Sequence, residues 1–426
     1  MFRSMLGLSA CGMFMLQVGA DSAAASTPSA RAVVQTYADI ALAKYEDSLT
    51  TARGLQKAVG ALIAKPTPAN LEEARRAWLA ARVPYQQTEV FRFGNRIVDD
   101  WEGRVNAWPL DEGLIDYVAG NSGMESEEND LYTANVIANR KLKIGGRDVD
   151  IPKITKKVLA EILHEADGVE ANVATGYHAI EFLLWGQDLN RTRTDKGNRP
   201  ATDFDLQTCT GGHCDRRIQY IEAATGLLVD DLTWMVAQWR PGGAARKALI
   251  TNDGNQGLIA IFTGMGSLSY GELAGERMKL GLLLHDQEEE HDCFSDNTHN
   301  SHYYDTVGIE NVYLGRYRRI DGRVVQGPSP SDLVEAADAR VDRRMRDALA
   351  RTIVKFKSLV MHAETVEPYD QMIGENNEAG NEVVEAAIAA LLAQTREIER
   401  AIAALDLKAI QFERSESLDD PAKIAQ

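Results

Sequence analysis

Apolar residues recur at Val33, Tyr37, Ile40, Leu49, Leu55, Val59 and Leu62, a spacing near the roughly 3.6-residue period of an amphipathic helix. Repeated along most of the chain, this spacing restricts it to helices that bury one stripe against other helices. Lys65-Pro66-Thr67-Pro68 breaks the first helix. A second starts near Asn70 and carries Trp78, Tyr85 and Phe91, with Pro84 as its kink or boundary. Further helices are predicted over 155–166, 170–185, 216–239, 256–290, 331–363 and 379–404, the penultimate one starting at Ser331-Asp332 after Pro330. Strand-like alternation is confined to 141–144 and 323–326, short enough for hairpins. Two long stretches, 94–151 and 292–328, have no clear period, and loops of that length are usually functional. A chain of 426 residues exceeds the roughly 250–300 residues at which single cores stop growing. The polar run at 186–208 is the natural boundary. The expected fold is all-α, with two helical bundle-like domains at 26–200 and 205–415 and long irregular loops.

The first 25 residues read as a signal peptide. Arg3 precedes an apolar run over 5–20 and then Asp21-Ser22-Ala23-Ala24-Ala25, small residues suited to cleavage, and the run is too short for a membrane span. Leu8-Ser9-Ala10-Cys11 resembles a lipoprotein box, the alternative reading. The expected location is periplasmic, either free or membrane-associated as a lipoprotein. A net charge of −17 argues against a nucleic-acid partner, because phosphate binding needs clustered Lys and Arg. Beyond Cys11 the cysteines are Cys209, Cys214 and Cys293, and an oxidising compartment permits disulfides. Thr-Gly-Gly-His between Cys209 and Cys214 is a flexible turn that lets them pair, although sequence alone leaves three pairings open.

The sharpest chemical feature is Gly176-Tyr177-His178-Ala179-Ile180-Glu181. On a helix, His178 and Glu181 share a face. An imidazole and a carboxylate can hold a transition metal together if further ligands arrive from elsewhere. The bland reading is a His–Glu hydrogen bond that satisfies a core histidine. No zinc-protease helix is present: His164-Glu165-Ala166-Asp167-Gly168 has Gly168 where His-Glu-x-x-His needs its second His, and Phe182 follows Glu181 where His-x-x-Glu-His needs one. The chain also has no Gly-x-Ser-x-Gly elbow, phosphate loop or dinucleotide fingerprint.

A second dense segment runs over 285–302 and holds four of the chain's eight histidines among acids. From it and its neighbourhood, Glu276, Glu290, His291 and His299 are the expected co-ligands of His178 and Glu181. Mixed nitrogen and oxygen donors suit iron, with zinc or another divalent metal as the alternative. Trp108, Asp111, Glu89, Arg92, Arg277 and Asp296 are the expected cleft-lining residues. Glu89 and Arg92, three apart, are expected to pair as ions. Gly271 and Gly275 predict close packing.

These segments resemble the imelysin family, also called the M75 peptidase family, and within it the branch of iron-regulated proteins. The family resemblance rests on Gly-x-His-x-x-Glu at 176–181. The branch resemblance rests on Trp-Pro-Leu-Asp-Glu-Gly at 108–113, Cys-Asp-Arg-Arg at 214–217, Gly-Glu-Leu-Ala-Gly-Glu-Arg-Met at 271–278 and Cys-Phe-Ser-Asp-Asn-Thr-His at 293–299. It implies two helical bundles with the site at their interface, export, a role in iron uptake, and His178 and Glu181 as the motif residues. The expected ligand is a metal ion or chelate, with a membrane transport component as partner. A metallopeptidase and a non-metal cleft for a small molecule or partner protein are the alternatives.

Overall fold

The computed structural model describes residues 27–119, 129–189, 196–250, 253–408 and 410–424; the expected signal peptide and Cys11 lie outside them. The first helix, α1 (Ala30–Ala64), is capped by Ser29, whose side chain accepts from the Ala32 amide, and it buries Val33, Tyr37, Ile40, Leu55, Val59 and Leu62. α2 (Pro68–Gln86) starts at Thr67 and ends two residues after Pro84, so this proline sets the boundary. The stretch over 94–151 holds α3 (Arg96–Asn106) and the antiparallel hairpin β1 (Lys141–Ile144) and β2 (Arg147–Asp150). α4 (Gly176–Trp185) is shorter than the predicted 170–185. Over 155–166 the structure forms one helical turn and a π-helical turn.

α5 (Cys214–Trp239) follows the Cys209–Cys214 disulfide, and Cys293 is a buried free thiol. α6 (Asn255–Ser267) runs on through a π-helical stretch, Leu268–Lys279, into a last turn, Leu280–Leu284. The stretch over 292–328 contains α7 (Thr298–Tyr313) and the hairpin β3 (Arg316–Arg318) and β4 (Val324–Gln326). α8 (Pro330–Thr365) begins with Pro330 at N1 and a capping box between Ser329 and Asp332, so the cap is Ser329 and not Ser331. α9 (Glu378–Ala404) pairs with α8.

α1 packs on α2 and α5, while α8 packs on α7 and α9, and α9 also covers the π-helical stretch. α5 lies on the far side of the 200–205 division in sequence but packs against α1 and α4. One connected apolar core runs through both groups of helices, and α2 meets α7 across it. No helix among the described residues is long and apolar enough to cross a membrane.

The π winding matters locally. Backbone bonds from i to i+5 widen the helix and bring Arg277 over Glu272, its Nε donating at 2.9 Å. Gly271 and Gly275 do allow close packing, against Glu413 and Ser415 of the C-terminal segment.

Candidate metal centre

α4 is buried on every side, so its polar pair, His178 and Glu181, is enclosed along with the apolar residues. The helix is held by Trp78, whose indole donates to the Tyr177 carbonyl at 2.9 Å, and by close approach to α3. Gly176 has φ +81, and a Cβ there would stand 2.4 Å from the Val105 carbonyl oxygen. Gly176→Ala is therefore expected to destabilise the fold by roughly 2–5 kcal/mol, the left-handed penalty plus overpacking. Urea unfolding monitored by far-UV circular dichroism tests this, and a loss below about 1 kcal/mol would refute it.

His178 and Glu181 face each other as their spacing predicts, with His178 Nδ1 at 3.2 Å from Glu181 Oε2. The other Glu181 oxygen accepts from the Ser295 amide at 3.0 Å and the Ser295 hydroxyl at 2.6 Å. Glu181 thus stands where an orienting carboxylate stands, fixing the ring from its Nδ1 side. His291 and Asp292 come in from the segment before α7. His178, His291 and Asp292 bring one donor atom each to within 4.8 Å of one another, and all three are buried. His178 Nδ1 is 4.0 Å, and His291 Nδ1 3.4 Å, from Asp292 Oδ1. The His178 and His291 rings meet edge to face at 4.6 Å.

Arg82 of α2 faces this group. Its Nη2 donates to Asp292 Oδ1 at 2.6 Å and lies 3.3 Å from His291 Nδ1, while Nη1 donates to Asn106 at 2.6 Å. The guanidinium sits over the rings of Trp78, Tyr85 and Tyr177, which helps a desolvated cation. Asp292 Oδ2 also accepts from Asn297 at 2.8 Å and from the Ser301 hydroxyl.

The electrostatics follow from burial and from Arg82. Burial, with Arg82 second, pushes His178 down to about 3. Burial and Arg277 hold His291 well below the usual range and take His302 to about 3, and burial takes His299 to about 4. These imidazoles are neutral at physiological pH and so able to bind a metal. Burial alone would raise Asp292, but the Arg82 ion pair holds it well below the carboxylate range. Glu181 is raised by burial and by Asp292.

The donors suit a cation. His178 Nε2 is buried and has no hydrogen-bond partner, while Nδ1 faces both Glu181 and Asp292. Two imidazoles and a carboxylate form a nitrogen–oxygen set of the kind iron accepts. Arg82 is the competitor for Asp292.

The remaining expected ligands scatter. His299, in the first turn of α7, is buried, with Nε2 at 3.0 Å from the Asn300 amide nitrogen and Nδ1 unpartnered. Glu290 is buried but belongs to a separate group with Asp188 and Asp296. Burial, then Asp188 and Asp370, raise Asp296 to about 8. Glu276 is exposed, because the π winding turns Arg277 inward in its place. Glu89 does not pair with Arg92: it takes Arg277 at 2.7 Å, while Arg92 reaches Asp99 at 3.0 Å and Glu272 at 3.1 Å. Arg277 also meets Glu272 at 2.7 Å and Asp305 at 3.4 Å. These residues form a buried ionic network and not a cleft wall.

Trp108 and Asp111 do line a cleft, of about 380 Å³, together with Glu112, Glu288, Cys293 and Phe294. The Trp108 ring lies 5.8 Å from His291, so this cleft abuts the centre. Arg82, Asp292 and Ser295 were missed as site residues. Asp292 was within reach, as the acid next to His291; Arg82 carried no local signal.

Fold and centre together define a class: a helical-bundle protein that buries an imidazole–carboxylate centre where helices from its two groups meet. The family model for imelysin, peptidase M75, matches residues 41–398, and the chain belongs to that family. It is 36% identical over 83 residues to iron-regulated protein A of Synechococcus elongatus, a match spanning 19% of this chain and only 23% of that protein. Its fold matches the crystal structure of a candidate iron-regulated protein A precursor from Parabacteroides distasonis. The TM-score is 0.63 at 19% identity, covering 90% of this chain and 97% of that one. A likeness at that identity concerns the fold alone.

Proposed function

We propose that this imelysin-family chain is an exported metal-binding protein that serves iron acquisition. His178, His291 and Asp292 hold the ion, and Glu181 orients His178. The observation that carries this reading is the buried cluster of His178, His291 and Asp292, whose donor atoms lie within 4.8 Å of one another, two neutral imidazoles beside an ionised carboxylate. The name of the Synechococcus elongatus relative, iron-regulated protein A, supports iron as the cargo. The acidic cleft at Trp108, Asp111, Glu112 and Glu288 offers a route for a cation to His291. Burial of His178 to 1%, Glu181 to 0% and His291 to 2% exposure weighs against cleavage of a polypeptide there. Export and contact with a membrane transport component complete the reading.

Titration calorimetry with ferrous iron under anaerobic conditions tests it, with zinc as a second probe. His178→Ala is expected to abolish binding, whereas Glu181→Gln should weaken it about 10–100-fold, the usual cost of losing an orienting group. Equal binding by the wild type and His178→Ala, with both folded, would sink the assignment. So would an equal and complete loss in Glu181→Gln, for the orienting role of Glu181.

A further inference from the structure

We propose that Asp188, Glu290 and Asp296 form a second cation site that takes a hard, oxygen-seeking divalent ion of the calcium class. Each residue brings a carboxylate oxygen to within 4.8 Å of the others'. Asp188 follows α4, while Glu290 and Asp296 flank the segment that supplies His291 and Asp292 to the first centre. The two sites therefore share a scaffold but no ligand.

An acidic cluster alone would be unremarkable on a protein of charge −17, but this one is not a solvated surface. Glu290 is 0% exposed and Asp188 4% exposed. Neither carboxylate oxygen of Glu290 has a hydrogen-bond partner of normal geometry, and the Thr298 hydroxyl nearby offsets its burial only in small part. A buried carboxylate without donors is costly unless a cation or a proton compensates it. The carboxylate of Asp370 adds its negative field to both Glu290 and Asp296, and Lys196 opposes it at Asp296. Oxygen-only donors, with no imidazole or thiolate among them, select a calcium-like ion over zinc or ferrous iron. Two calcium–oxygen bonds of about 2.3–2.6 Å each span such donor separations without moving the backbone. The competing arrangement is proton sharing, in which Asp296 and Asp188 hydrogen-bond to each other as an acid and its anion.

The probe is calcium chloride, added to the metal-free full chain and followed by calorimetry and thermal unfolding. Wild type is expected to bind one calcium and to gain thermal stability. Glu290→Gln and Asp296→Asn, both near-isosteric, should each weaken calcium binding at least tenfold, whereas His178→Ala should leave it unchanged. Retained binding in both carboxylate variants overturns the site. No binding by wild type at millimolar calcium, with Glu290→Gln raising the melting temperature, also overturns it and assigns the acids to proton sharing. Because His178→Ala reads the first centre alone, failure of either site is distinguishable from failure of the other.

Discussion

Arg82→Gln is expected to destabilise the metal-free protein by about 3–5 kcal/mol, the usual cost of removing one partner from a buried ion pair. Arg82 and Asp292 have side chains 1% and 0% exposed, so nothing from solvent can replace the guanidinium. The substitution would leave Asp292 with Asn297, Ser301 and the neutral His291 ring but no cation to balance a full negative charge. Two further results follow if Asp292 is a metal ligand. Arg82→Gln should bind metal more tightly than wild type, because its competitor is gone. Metal should also restore much of the lost stability, since a ligand that binds only the native state stabilises it by mass action. Urea unfolding with and without metal, extended to Asp292→Asn and the double variant, checks both. If added metal leaves Arg82→Gln as unstable as before, Asp292 is a structural counter-ion and not a ligand.

Metal-free protein is expected to lose stability steeply between pH 4 and 3, and far less between pH 6.5 and 4. His178 and His302 near 3 and His299 near 4 lie below the unfolded value of about 6.5. The unfolded chain therefore takes up these protons first. Each histidine's contribution is complete above about pH 6.5 and is lost as pH falls towards its folded pKa. Burial shifts acids the other way: Glu102 and Glu112 to about 7, and Asp296 to about 8. Those acids are protonated first in the folded state, so they stabilise it as pH falls from about 8 to their unfolded values near 4, and then stop. The two trends oppose each other above pH 4. Below it the histidines act alone, joined by the loss of ionised Asp292. At about 1.4 kcal/mol per unit per group, His178 and His302 together account for roughly 2–3 kcal/mol over that last unit. Urea midpoints at pH 6, 5, 4 and 3 decide the matter. No fall between pH 4 and 3 would mean that these histidines titrate as exposed ones do, since equal folded and unfolded pKa values link no stability to pH. Because the ligand imidazoles stay neutral, metal affinity at the His178 centre should also change little between pH 7 and 5.

Local periodicity determined much of this protein. α1, α5, α8 and α9 announce themselves by apolar stripes that neighbouring helices bury, and one strand of each hairpin, β1 and β4, falls in a short alternating segment. The His178–Glu181 pair was legible for the same reason: one helical turn connects them. α7 was not legible. Thr-His-Asn-Ser-His-Tyr-Tyr-Asp has no apolar stripe, because the helix buries polar side chains such as His299, His302 and Asp305, the last of them in the Arg277 network. Glu276 lies exposed and outside the His178 group, on a π-helical stretch whose side chains do not follow α-helical spacing.

What completes the centre lies far off in sequence. Arg82 reaches Asp292 across 210 residues, and Ser295 reaches Glu181 across 114. Such partners are chosen by which helices cross and not by any repeating pattern. Sequence by itself determined the helices with an apolar stripe and put His178 and Glu181 on one face. Only the tertiary structure decided that Asp292 and His291 stand beside His178, that Arg82 holds the charge, and that Glu290 faces a separate acidic group. Helix formation depends on neighbours within a turn or two, whereas a buried charge is tolerated only where the folded chain brings its counter-charge.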